Sequence, residues 1–261
     1  MRRVIIAALV LIVLLVAADF GAAALAESAV SKQMRQQIGL ADDPSVRING
    51  FPFLTQAISG QYGSVDVDAT RLTVGRLQEV SISAQLRDVT APLSMLLGSG
   101  PKTLQVKDMQ GTARISAKDL QRLVPSLTDL RIDNIDATAL QKAATTSGDA
   151  SLAQIDPKNA VRLGGTATIL TQKLDVSVIA VLELVDGQAQ IVPRDIRLGG
   201  DGGTALPSYA QRPLQQMFTV RVDPGSLPLK VTPTSLQAKD GQLEISGTAH
   251  DLVLGAGTVA P

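Results

Sequence analysis

The sequence predicts an α+β fold: a β-rich, strongly curved antiparallel sheet closed by an N-terminal helix. Three observations predict it. Segment after segment beyond Val46 alternates apolar and polar residues with a period of two, the pattern of half-buried strands. These segments are joined by short turn signals with few long helical crossovers, which favours antiparallel pairing. A single long apolar stretch, running on into a helix-favouring one, occupies the amino terminus.

Arg2 and Arg3 precede Val4 to Ala18, fifteen residues without a polar side-chain atom, the charged and apolar regions of an export signal. Ala24-Leu25-Ala26 supplies the small residues of a cleavage site. Val4 to Ala26, interrupted only by Asp19, is also roughly 34 Å of helix, enough to span a hydrocarbon layer of about 30 Å. Residues 1–26 are thus a signal peptide or an N-terminal membrane anchor, and the direct run into a helix over Ala22 to Ile38 favours the anchor. That helix carries an apolar stripe at Leu25, Ala26, Ala29, Val30, Met34 and Ile38 and stops at Gly39. Residues 27–261 read as one elongated domain.

Within it, strands are expected at Val65 to Val74, around Val80 to Leu86, and at Leu104 to Ile115, Leu130 to Ile135, Val161 to Leu170 and Leu174 to Val185. Further strands are expected at Gln188 to Leu198, Phe218 to Val222, Leu229 to Ala238 and Gln242 to Leu254. Asp186-Gly187 and Asp240-Gly241 each provide the positive backbone angles of a two-residue hairpin turn. Short helices are expected at Ser116 to Val124, where Ser116 and Asp119 form a capping-box pattern, and at Pro207 to Met217. Polar Thr145 to Pro157 reads as an exposed loop joining two β-rich halves, and Gly199 to Ala210 as another loop. Leu174 to Val185 is apolar on both faces: Val176, Val178, Ala180, Leu182 and Leu184 on one, Ile179, Val181 and Val185 on the other. Both faces therefore need a helix, a second sheet layer or a ligand against them.

Composition excludes several classes of function. The 24 Lys plus Arg balance 24 Asp plus Glu, which removes the basic field that drives nucleic-acid binding. With no Cys and one His, there is no thiolate nucleophile and no metal site of the cysteine or multi-histidine kind. Asp251 follows His250 directly and in a strand points to the opposite face, so a Ser-His-Asp triad fails. Nucleotide loops, dinucleotide glycine patterns and zinc-helix motifs are missing, so no cofactor is expected. Asp66 and Asp68 share a strand face but lack the run of oxygen ligands a cation site needs, so they read as a solvated face and no metal is assigned.

The most unusual segment is Gly50-Phe51-Pro52-Phe53-Leu54-Thr55-Gln56, which holds two of the four phenylalanines. Phe51, Phe53 and Leu54 either plug one end of the core or lie at the mouth of a groove or in a membrane interface. Together with Gly60, Tyr62 and the Val65 to Ala69 strand, this segment resembles the LmeA-like phospholipid-binding family of actinobacterial cell-envelope proteins. Leu227-Pro228-Leu229-Lys230-Val231, Ala238-Lys239-Asp240-Gly241 and Ser246-Gly247-Thr248-Ala249 are similar to that family's closing strands. The resemblance implies a non-enzymatic, periplasmic or envelope protein that binds phospholipid at a membrane surface in the service of envelope lipid or lipoglycan assembly. By analogy, the body is then similar to tubular lipid-binding folds. On that reading Val178, Leu182 and Leu184 line an acyl-chain groove, and Phe51, Phe53 and Leu54 form its entrance or a membrane-docking edge. A membrane-tethered scaffold for envelope biosynthetic enzymes and an unrecognised lipid or glycan hydrolase are the alternatives.

Overall fold

The computed structural model describes residues 1–74, 77–96, 103–123, 127–169, 172–185, 188–200, 203–206, 211, 220–222 and 231–255. Helix α1 (Arg2–Ile38) leads into β1 (Ser45–Asn49), α2 (Phe53–Ser59), β2 (Gln61–Val74), β3 (Leu77–Thr90) and the single turn α3 (Leu93–Leu96). There follow β4 (Thr103–Ser116), α4 (Ala117–Leu123), β5 (Leu127–Asn134) and α5 (Ala137–Ser147), then 3₁₀ turns at Ala150–Gln154 and Pro157–Asn159. Strands β6 (Ala160–Ile169), β7 (Gln172–Val185), β8 (Gln188–Leu198), β9 (Thr204–Ala205), β10 (Val220–Val222), β11 (Thr232–Lys239) and β12 (Gln242–Gly255) complete the order.

These strands form two antiparallel sheets in place of the single curled, helix-closed sheet expected from the sequence. One has the order β1-β2-β3-β4-β12-β11, and the other runs β10-β8-β7-β6-β5 with β9 beside β8. The chain divides into two compact units, Met1–Arg71 with Ile82–Gly111 and Ala249–Pro261, and Leu72–Ser81 with Thr112–Thr248. The division falls inside β2, β3, β4 and β12, and residues 145–157 lie wholly within the second unit as the end of α5 and its 3₁₀ turns. The units are therefore not the two sequence halves on either side of that segment.

The second unit shows why one sheet is not enough. Ile179 and Val181 on one face of β7 are buried with Leu140, Ala143 and Ala144 of α5 and with Leu152. Ala180 on the other face is buried with Ile132, Val161, Leu236, Ala238 and Leu243, and Leu182 packs against that cluster. The doubly apolar strand is thus covered by a helix and by the β11–β12 hairpin, as its composition demands. Asp240 and Gly241 turn that hairpin with φ of 51° and 70°, and Lys239 pairs with Gln242, the two-residue geometry expected of Asp-Gly. Val185 likewise pairs with Gln188, although Asp186-Gly187 lies outside the described residues, as do most of Pro207 to Met217 and all of Leu227 to Lys230.

Helix α5 is absent from the sequence expectations, yet its start is chemically marked. The Asp136 side chain accepts from the Ala139 N–H at 2.7 Å, a standard N-cap, while Leu140, Ala143 and Ala144 form its buried face. Helix α4 behaves as its capping box implies on one side, with the Asp119 N–H donating to Ser116 Oγ at 3.1 Å. The Asp119 carboxylate turns elsewhere: fully buried, it accepts from the Gln78 and Glu79 N–H groups at 3.2 and 2.7 Å and from Arg122 at 2.6 Å. Arg194 bridges Glu183 at 2.5 Å and Asp149 at 3.1 Å. Burial opposes the Arg194 charge, but the two carboxylates more than offset it and hold its pKa above the ordinary value.

Leu152 is completely buried beneath α5. Leu152→Ala is expected to lower unfolding stability by about 3 kcal/mol through lost transfer energy and a residual cavity, measured by urea denaturation.

Candidate functional site

In the first unit, α1 is held along one face by polar contacts. Asp19, deep in the apolar run, is 5% exposed. Its two oxygens accept from the Phe53 and Leu54 N–H groups, both at 2.8 Å. Two turns later Glu27 accepts from the Ile48 N–H of β1 at 2.7 Å, and Ser31 Oγ donates to the Pro44 carbonyl at 2.5 Å. The face that meets the body is thus set by Asp19, Glu27 and Ser31 together with half-buried Ala26, Val30 and Met34. The expected apolar stripe is rotated accordingly: Leu25 is 75% exposed and Ala29 is exposed as well.

The Gly-Phe-Pro-Phe-Leu segment leads into α2. Pro52 occupies its N-cap in extended conformation after a cis Phe51–Pro52 peptide, and proline offers no side-chain acceptor to the first helical N–H groups. Asp19 supplies that acceptor from another helix. Gly50 adopts φ +110°, and a Cβ there would lie 2.7 Å from Gln56 Nε2. Gly60 ends α2 at φ +69°, with Ala91 O only 3.0 Å from an added Cβ, so the positive φ favours glycine at both positions and a backbone contact adds to it at Gly60.

The three residues singled out in this segment separate. Phe53 is buried and faces Tyr62 with ring centroids 6.5 Å apart. Phe51 is 61% exposed and stacks on Phe20 of α1 at 6.0 Å. Leu54 is exposed, as is Ile58 one turn on, which makes an apolar surface patch of Phe20, Phe51, Leu54 and Ile58 in the first unit. Val178 and Leu182 belong to the second unit, where both are half-buried and Leu182 packs on the core. Leu184 lies in β7 opposite Ala189, but its side chain is outside the described residues.

A groove of about 660 Å³ opens in the first unit at one end of β2, β3, β4 and β12, next to α2. Tyr62, Val89, Val106 and Leu252 are its buried residues, and Gln56, Lys107, Asp88 and Val253 stand around it. This volume is that of a ligand cleft. The Tyr62 hydroxyl is buried without a hydrogen-bond partner, and burial pushes its pKa above the ordinary phenol value. In the second unit a smaller cavity of about 220 Å³ lies under α5, beside Arg162, Ser177, Asp195 and Arg197. It is more polar and falls below the usual size of a ligand cleft, so the first groove is the candidate site. Sequence reasoning missed it because most of its lining comes from four strands distant in the chain; Gln56 and Tyr62 are the lining residues tied to the distinctive segment.

Asp66 and His250 each have a side-chain partner. Asp66 accepts from Asn49 Nδ2 at 2.8 Å and Gln85 Nε2 at 3.1 Å. His250 is exposed and lies 2.6 Å from Asp108.

A family model for LmeA-like phospholipid-binding proteins matches residues 17–248. The chain belongs to the LmeA-like phospholipid-binding family. No curated protein and no solved structure matches it. The family's description names phospholipid as ligand, which agrees with an amphipathic groove beside an exposed apolar patch. The matched span begins before Asp19, so the family's shared region includes the α1 segment that holds α2.

An unpartnered buried hydroxyl costs about 1–3 kcal/mol. Tyr62→Phe is therefore expected to leave the ligand-free protein as stable or to stabilise it by about 1 kcal/mol, measured by thermal denaturation after delipidation; marked destabilisation would mean that the hydroxyl has a structural partner.

Proposed function

We propose that this chain is an exported, membrane-associated protein of the cell envelope that binds phospholipid without catalysing a reaction and supports envelope lipid or lipoglycan assembly. The observation that carries the reading is the coincidence, within one unit, of a ligand-sized groove and an apolar patch around α2, in a member of a phospholipid-binding family. Arg2 and Arg3 before the apolar run favour an orientation with the amino terminus inside and the body outside. The groove suits the headgroup end of a phospholipid: Val89, Val106 and Leu252 give apolar contact, while Lys107 and Gln56 offer donors to phosphate or ester oxygens. Phe51 and Leu54 serve as the docking edge, and Phe53 acts from beneath as packing.

A second placement of the acyl chains, along β7 at Val178, Leu182 and Leu184, is supported by the half-burial of Val178 and Leu182. The two placements respond differently to mutation. Native mass spectrometry of gently purified protein should show retained phospholipid. Val253→Glu combined with Lys107→Glu, both at exposed positions around the groove, should lower its recovery several-fold, whereas Leu182→Ala should not. The reverse pattern, in variants shown to be folded by circular dichroism, moves the site to β7. A wild-type chain that neither retains phospholipid nor extracts it from vesicles would support the tethered scaffold instead, whose signature is copurification of envelope biosynthetic enzymes.

A further inference from the structure

We propose that α1 is a retained membrane span whose Asp19 carboxylate pins α2, so that Phe20, Phe51, Leu54 and Ile58 form a wedge in the bilayer interface on the side of the folded body. Three observations carry it.

The first is the burial and bonding of Asp19. Both carboxylate oxygens are used by consecutive N–H groups at the start of α2, and the N-cap residue, Pro52, cannot replace them. Cleavage after Ala26 would remove the acceptor and expose the buried N–H groups. A removable leader has no reason to complete the hydrogen bonding of the domain it leaves, and the family's matched span already includes this residue.

The second is length. The uninterrupted apolar run Val4 to Ala18 has fifteen residues and spans roughly 22 Å as a helix, about 8 Å short of a hydrocarbon layer of about 30 Å. The bilayer cannot extend to Ala26 on the face of α1 that meets the body, because Asp19 and Glu27 bind backbone groups of α2 and β1 there. The mismatch is relieved if the adjoining surface enters the interface, where amphipathic elements settle about 5–10 Å deep.

The third is the character of that surface. Leu54 and Ile58 lie one turn apart on the outside of α2, Phe51 stacks on Phe20, and all four are exposed. Phe20 lies on the same helix as the exposed apolar residues Val4 to Leu15. Phe and Leu are the side chains that an interfacial element buries at the boundary between headgroups and acyl chains. The occupant this fits is a phospholipid leaflet, the same phase that surrounds the span.

The chain contains no tryptophan, so Phe51→Trp and Ile58→Trp each place a single reporter at an exposed position in the full-length protein. In phosphatidylcholine–phosphatidylglycerol vesicles, both are expected to emit at blue-shifted wavelengths and to be quenched at least twofold more by lipids carrying a nitroxide near the headgroup than by lipids carrying it at the chain end. Intact mass of the membrane-extracted protein should include residues 2–26. In Asp19→Asn, which keeps one of the two acceptor oxygens, amide exchange at Phe53 or Leu54 should rise about tenfold. A chain beginning at Glu27 overturns retention, reporters that remain unquenched overturn the wedge, and unchanged exchange overturns the pinning role of Asp19. None of these readouts depends on whether the groove carries lipid, so failure here and failure of the lipid-binding reading are told apart.

Discussion

A carboxylate buried on an otherwise apolar helix is tolerated only where hydrogen bonds replace its water, and Asp19 meets that requirement with two consecutive backbone N–H groups. The order of the first unit follows from this contact. Helix α2 starts behind a proline that cannot cap it, so its first N–H groups depend on an acceptor brought from α1. From α2 the chain passes through Gly60, whose carbonyl accepts the Ala91 N–H at 2.9 Å, directly into β2 and Tyr62. The groove thus lies next in sequence to the helix that Asp19 holds, and the position of α1 is communicated to it through seven residues of helix and one glycine.

The second unit uses the same device. Asp119, on the short helix α4, is fully buried and accepts from two consecutive N–H groups, those of Gln78 and Glu79. In both units a helical aspartate satisfies adjacent amides of a distant segment, at Phe53–Leu54 in one and at Gln78–Glu79 in the other. Such contacts fix position in a way that apolar packing does not, because a carboxylate displaced by one residue leaves a buried N–H unpaired. The remainder of the second unit is governed by apolar area: β7 presents large aliphatic groups to both sides, and the sheet is stable only as the middle layer between α5 and the β11–β12 hairpin.

Those two kinds of constraint differ in how far they can be read from sequence. Period-two alternation located β2 to β8, β11 and β12 to within a few residues, and Asp240-Gly241 named its turn, because strand pattern and turn chemistry are local. Apolar residues on both faces of Leu174 to Val185 announced that two layers had to cover it, although not that one would be α5. Helix α5 went unread because its helical face consists mainly of alanines with one leucine, a weak periodic signal, although Asp136 marks its start. Helix α2 was hidden for the opposite reason: its cap is not local. Nothing in the Gly-Phe-Pro-Phe-Leu run reveals that Asp19 will bind it from 34 residues away, and Asp19 read as an interruption of an apolar segment. The groove was illegible on the same ground, since Tyr62, Val89, Val106 and Leu252 meet only once four strands are aligned.

The use of aromatics ties the reading of the surface to that of the fold. The chain has four Phe and two Tyr, so each aromatic ring is a scarce source of buried area. Phe53 and Tyr62 are placed as scarcity dictates, packed together in the interior. Phe20 and Phe51 are not: they stack on each other at the surface and stay more than half exposed. In a body surrounded only by water, two of four phenylalanines left outside a core poor in aromatics would forfeit the largest burial term the sequence possesses. The arrangement becomes economical when the phase around Phe20 and Phe51 is itself apolar on one side and wet on the other. That is the environment the proposed membrane span gives Phe20, and Asp19, one residue before it, directs its hydrogen bonds toward the body.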